Sequence, residues 1–117
     1  MNGERLTKAE RLSRQADFAA AYKDGKSYSE KLLKVYILKN GLLVNRLGIN
    51  IQKSKVRAST DRNRIRRLLK EAYRKNKKYF NTGFDVVIKI KKIEQALPKY
   101  NLLKTELVEL FKKSGIA

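Results

Sequence analysis

Along LVNRLGINIQ, Leu47, Ile49 and Ile51 alternate with Gly48, Asn50 and Gln52. This period of two sets one strand face against a core and leaves the other among polar groups. The preceding segment, KLLKVYILKNG, is rich in Leu, Val, Tyr and Ile. It stops at Asn40-Gly41, a dipeptide that accepts the positive φ angles of a tight turn, so the two segments are expected to pair as a hairpin. FDVVIKIKK adds a strand that is apolar at Val86, Val87, Ile88 and Ile90, and a further short strand is expected near Tyr28.

Between and around these segments the pattern turns helical. In SRQADFAAAYKDG, Ser13 is expected to cap the start, the alanines favour the interior, and Gly25 suits a left-handed residue past the end. A helix from Thr60 to Lys78, capped by Thr60 or Asp61, places Ile65, Leu68, Leu69 and Ala72 at i, i+3, i+4 and i+7, the stripe that packs on a sheet. Pro98 is expected to start a last helix, in which Leu102, Leu103, Leu107, Leu110 and Phe111 recur at helical spacing. Strands joined by crossover helices predict an α/β (α+β) sandwich. Residues 1–12 read as a basic arm, and 13–117 as a single α/β domain.

Charge changes the picture at the central helix. The chain of 117 residues carries a net charge of +18. From Lys53 to Lys78 there are twelve Lys and Arg against two acidic residues, Asp61 and Glu71, so +10 of that charge lies in this stretch. Two polar rows flank the apolar stripe: Asn63, Arg67, Lys70, Arg74 and Lys77 along one, and Arg62, Arg66 and Tyr73 along the other. A solvated helix face normally intersperses acids, and here only Glu71 is available within the helix. Self-repulsion of this size points to a polyanion, and the arginine-rich first turns suit bidentate contacts to phosphate. A membrane-surface helix would need a second, exposed apolar face. The chain has no Cys and no His, and its opening residues lack the apolar core of a secretory signal, so a cytoplasmic protein without disulfides is expected.

The residues RNRIRRLLKEAYR, with Arg62-Asn63-Arg64, Arg66-Arg67, Glu71 and Arg74, resemble the RNR signature of the protein subunit of bacterial ribonuclease P. The lead-in KSKVRAST, with Lys53, Lys55, Ser59 and Thr60, resembles that family's lysine-rich approach to the helix, and RLSRQADFAAAYKDGKSYS resembles its opening. The resemblance runs in order over about residues 5 to 113. One departure is Arg57, which stands where the family usually has glycine, so the loop before the helix is expected to turn less sharply.

The resemblance implies an α-β-β-β-α-β-α order, in which the basic helix makes a left-handed β-α-β crossover. General topology would favour the right-handed form. It also implies that the RNA subunit, with its bound Mg²⁺, is the catalyst, and that this protein helps it capture precursor tRNA. No catalytic or metal-binding residue is then expected in the protein, no obligate protein partner and no membrane. A chain without His or Cys has little from which to build a nuclease site of its own.

Phe18 and Tyr22, at i and i+4, share a helix face, and Tyr36 points opposite to Val35 and Ile37. By spacing alone such aromatics read as core. The resemblance implies instead that they line a cleft for the single-stranded 5′ leader of precursor tRNA, with Asn50, Arg62 and Arg66 at its border. It assigns Lys53, Lys55, Asn63, Arg64, Arg67, Lys70 and Arg74 to the RNA subunit. A basic ribosomal protein and a stand-alone nuclease are the alternative classes. The first would associate stably with ribosomal RNA without affecting tRNA maturation; the second would cleave precursor tRNA without an RNA cofactor.

Overall fold

A computed structural model describes residues 6–93 and 96–116. Three helices, α1 (Gln15–Asp24), α2 (Ser59–Asn76) and α3 (Tyr100–Ser114), accompany four strands, β1 (Lys26–Ser29), β2 (Leu33–Lys39), β3 (Arg46–Asn50) and β4 (Phe84–Ile90). The element order is the expected α-β-β-β-α-β-α, and the strand near Tyr28 is β1. The sheet runs β1-β2-β4-β3: β1–β2 and β2–β4 are antiparallel, and β3–β4 are parallel, joined by the crossover through α2.

This order corrects the expected hairpin. The segments on either side of Asn40-Gly41 are β2 and β3, which do not pair, because β4 lies between them. Gly41 does take a positive φ of 71°, but inside a longer connection that passes over the end of β4. Asn40 anchors it, donating from Nδ2 to Val44 O and Asp85 Oδ1, while its Oδ1 accepts from the Leu42 N–H. The short turn instead joins β1 to β2. There Glu106 of α3, itself buried, accepts the Leu32 and Leu33 N–H groups at 2.8 and 3.0 Å.

Apolar positions of period two explain which face each helix covers. Val35, Ile37, Leu47, Val86 and Ile88 point to one side, where Ile65, Leu69 and Ala72 of α2 and Leu103, Leu107, Leu110 and Phe111 of α3 close the main core. Tyr73, placed by its spacing in a polar row, is buried here and packs against Phe111 and Phe80 at centroid distances of 6.1 and 5.7 Å. Burial drives its phenol pKa up to about 12, although a hydrogen bond with the Asn45 side chain acts the other way. Leu102 is exposed: at about 100° per residue it falls outside the arc that holds Leu103, Leu107 and Leu110.

The caps also differ from expectation. α1 begins after Arg14 and α2 after Ala58, and neither start has a side-chain cap bond from Ser13, Thr60 or Asp61. α3 begins after Lys99, with Pro98 just ahead of it. Gly25 is extended, at φ −77°, rather than left-handed; its requirement is space, since a Cβ would sit 2.5 Å from Ala21 O. Arg57 needs no special backbone, because no described residue other than glycine has a positive φ.

Residues 6–12, read as part of an arm, lie against the sheet. Arg11 bridges to Leu47 of β3, Leu12 N donates to Leu47 O at 2.9 Å, and the Leu12 side chain is buried. Glu10 pairs with Lys77 at 3.1 Å. Burial raises the Glu10 pKa, but the hydrogen bond from Thr7 N and the Lys77 ammonium outweigh it and hold the carboxyl below its ordinary value.

Replacing Glu106 with Ala leaves the Leu32 and Leu33 N–H groups without their acceptor in a largely water-free site. The expected loss is about 1–3 kcal/mol of unfolding free energy by chemical denaturation. An unchanged midpoint and slope would show that the turn does not depend on α3.

Candidate nucleic-acid interface

The basic helix divides its charges between structure and solvent. Ile65, Leu69, Ala72 and Tyr73 fix its rotation, so Asn63, Arg64, Arg67 and Lys70 project outward and are exposed, as is Lys53 in the loop before it; Lys55 is half-buried. The end of the row is neutralised. Arg74 pairs with Glu71 at 2.8 Å, Lys75 with the same carboxylate at 3.4 Å, and Lys77 with Glu10. Arg74 and Lys75 together hold the Glu71 carboxyl below its ordinary value. The open charge is therefore concentrated in the first half of α2 and its lead-in. There Lys53, Lys55, Arg57 and Lys92 line a cavity of about 550 Å³ beside the helix start.

Arg62 is partly buried and turns back onto the loop. Its Nη1 donates to Val56 O at 3.0 Å and Arg57 O at 2.8 Å, which closes the chain entering α2. Arg66 Nη1 reaches only its neighbour Asn63, at 3.4 Å.

The other face of the sheet is built differently. α1 crosses it near Val87, and the small apolar cluster beneath is Leu12, Ala21 and Val87, with Phe18, Tyr22 and Tyr36 partly buried around it. Gly48 of β3 makes this approach possible: a Cβ there would stand 2.6 Å from the Phe18 ring. At one end Arg46 ties the layers together. It gives Asp85 a bidentate pair at 2.8 and 2.7 Å and reaches Asp17 of α1 at 3.5 Å. The Asp85 hydrogen bonds raise the Arg46 pKa further.

Phe18, Tyr22, Tyr36 and Asn50 are brought together. Tyr22 meets Tyr36 edge-on at 4.9 Å and Phe18 at 6.5 Å, and Asn50 Nδ2 donates to the Tyr22 hydroxyl at 2.7 Å. Beside them a groove of about 520 Å³ opens between α1 and β3, lined by Ser13, Gln15, Phe18, Tyr22, Ile49 and Asn50. Half-buried rings beside a polar amide, two of them lining a groove, are an arrangement on which unpaired bases can stack, since every base presents a π-face.

Arg62 and Arg66 are not part of this group. α2 packs on the opposite side of the sheet, through the main core, and neither arginine lines the groove. In their place are two lysines that sequence reading missed. Lys89 Nζ lies 5.2 Å from the Tyr22 ring centre, and Lys34 Nζ 5.1 Å from that of Tyr36. Each is the polar interruption of an apolar run, LKVYI or VIKI, but that they meet depends on the β2–β4 register.

A family model described as Ribonuclease P matches residues 6–115. The Ribonuclease P protein component of Clostridium botulinum (strain Loch Maree / Type A3) is 40% identical over 110 residues, 93% of this chain and 97% of that protein. Its counterpart of the same name in Clostridium kluyveri is also 40% identical, over 91% of this chain and 95% of its own length. The fold is similar to a solved structure of the RNase P protein from Thermotoga maritima, with TM-score 0.78 and 31% identity over 89% of this chain and 96% of that one. It is also similar to that of Staphylococcus aureus RNase P protein, TM-score 0.82 at 24% identity over 93% and 98%, a likeness of fold.

Gly48→Ala is expected to displace the Phe18 ring, shifting its aromatic NMR resonances and costing about 1–3 kcal/mol of stability. Unchanged ring resonances at unchanged stability would mean that Phe18 does not rest on β3.

Proposed function

The chain belongs to the ribonuclease P protein family, and on that footing we propose a division of labour between its two faces in tRNA 5′ processing. As the protein component it is a subunit of an endoribonuclease and works with the RNA subunit. In this reading the RNA subunit carries the chemistry, and the protein binds both that RNA and the 5′ leader of precursor tRNA, promoting release of the leader. The observation that carries the leader assignment is the open aromatic platform: Phe18, Tyr22 and Tyr36 stand half-exposed beside Asn50, on a sheet face that the main core does not need.

Asn63, Arg64, Arg67 and Lys70, on the outward side of α2, and Lys53 and Lys55, ahead of it, are assigned to the RNA subunit. Arg74 joins them at the edge, held by Glu71. Arg62 and Arg66, expected at the border of the leader cleft, are assigned no leader contact, since α2 lies on the other side of the sheet; Arg62 acts through the loop it closes. Mg²⁺ is assigned mainly to the RNA subunit; among the described residues no group of three or more Asp, Glu, His or Cys side chains is placed to hold an ion. No helix among the described residues is long and apolar enough to cross a membrane.

One paired experiment separates the two faces. In the assembled holoenzyme, Phe18→Ala or Tyr22→Ala should weaken precursor tRNA binding by about 1–3 kcal/mol, the range for a stacked base, and leave mature tRNA binding unchanged. Arg64→Ala or Arg67→Ala should instead weaken assembly with the RNA subunit and lower its salt dependence by about 0.7–0.9 for each phosphate that the variant no longer neutralises. A loss at Phe18 or Tyr22 that is independent of leader length would return these rings to a packing role.

A further inference from the structure

One row of the sheet face left open by α1 crosses all four strands: Ser29, Lys34, Lys89 and Asn50 are successive Cα partners in the β1–β2, β2–β4 and β4–β3 registers. Lys34 and Lys89 are directly opposite each other in the antiparallel pair, on the two inner strands. Like charges in that position oppose strand pairing, so the protein's own stability gives no reason for them. Among the described residues neither ammonium has a carboxylate partner; Asp17 and Asp85, which face this side, are engaged by Arg46.

Each ammonium is held over a tyrosine face, Lys34 over Tyr36 and Lys89 over Tyr22, and those two rings touch. A cation over a ring keeps its outer hydrogens directed away from the ring, available to an anion. Next to them a second cavity of about 180 Å³ is lined by Lys34, Tyr36, Lys55, Lys89 and Lys91, with Gln52 and Ile90 and no acid. Aromatic faces in one row and paired cations in the next meet the two requirements of a single strand, whose bases alternate with phosphates.

We propose that Lys34 and Lys89 form a phosphate clamp for the leader, so that the strand crosses the sheet along this row with its bases on Tyr22 and Tyr36 and its backbone over the two ammoniums. This rests on the leader reading above and adds to it a path and a polarity-neutral anchor. Because the clamp reads phosphates and the rings read any base, binding here is insensitive to leader sequence and sensitive to salt.

The test uses holoenzyme assembled from the RNA subunit and the wild-type protein, the Lys34→Met/Lys89→Met variant or Lys34→Glu. Precursor and mature tRNA affinities are measured across a salt series. For precursor tRNA the double variant should lower the slope of log affinity against log salt by about 0.7 for each lysine that holds a phosphate. Its affinity for mature tRNA should not change. Lys34→Glu creates a cross-strand ion pair with Lys89, so it should raise the melting temperature of the free protein while weakening precursor binding; a merely structural role would move both the same way. Replacing leader phosphates one at a time by neutral methylphosphonates should weaken wild-type binding at one or two positions and leave the double variant unaffected there. If the wild type does not distinguish precursor from mature tRNA, the leader reading falls and the clamp with it. If it does, but the double variant keeps the full salt slope, the clamp alone is wrong.

Discussion

α1 is too short to cover the sheet it lies on. Its ten residues span about 15 Å, whereas β2 and β4, at seven residues each, run about 23 Å. The opposite face has α2 and α3, thirty-three residues of helix between them, and there the burial is complete enough to supply the core. The second face needs only Leu12, Ala21 and Val87 to seat α1. Everything beyond that seat stays open. This leftover strip can carry rings and lysines that a core would reject, and its floor is the doubly paired central strand β4.

The same economy governs the charges. Asp85 and Asp17 serve Arg46, Glu10 serves Lys77, Glu30 serves Lys113, Glu71 serves Arg74 and Lys75, and Glu106 serves two backbone amides. Apart from Glu71, which moderates the end of the basic row, these carboxylates hold loops and layers together. Of the +18 net charge, the densest part not met by a carboxylate lies on the first half of α2 and its lead-in, with Lys34 and Lys89 as a second, smaller group on the open sheet row; in the proposed reading a polyanion screens both. In the proposed reading, these two basic regions on either side of one sheet let a single small domain meet two RNA elements at once.

Local pattern was enough to place the helices, the strands and the basic face of α2, because periodicities of 2 and 3.6 are set by backbone geometry. The pairing of β2 and β3 was misread because Asn40-Gly41 is a strong local turn signal, and nothing local records that β4, over forty residues later, inserts between the strands. Tyr73 was grouped with Arg62 and Arg66, although it also follows Leu69 by four; that it closes the apolar stripe depends on Phe80, seven residues on, and on Phe111 of α3, which pack against it. Spacing was enough to put Phe18 and Tyr22 on one helix face and Tyr36 opposite Val35 and Ile37, but by spacing they read as core, and only the family resemblance made them a candidate site. Lys34 and Lys89 were not, since each is an ordinary lysine until the register sets them side by side. Arg62 and Arg66 were grouped with the aromatics by family resemblance, while the fold keeps them on the far side of the sheet.

The central claim is that the strip beyond α1, and not the basic helix, receives the single-stranded leader. Photocross-linking from a leader carrying reactive nucleotides, within the assembled holoenzyme, tests it most directly when the modified peptides are identified. The account predicts adducts on Tyr22, Tyr36 and neighbouring residues of α1, β2 and β4, and none on the outward face of α2. Adducts confined to the Arg62–Lys70 stretch, with the strip unmodified, would contradict it.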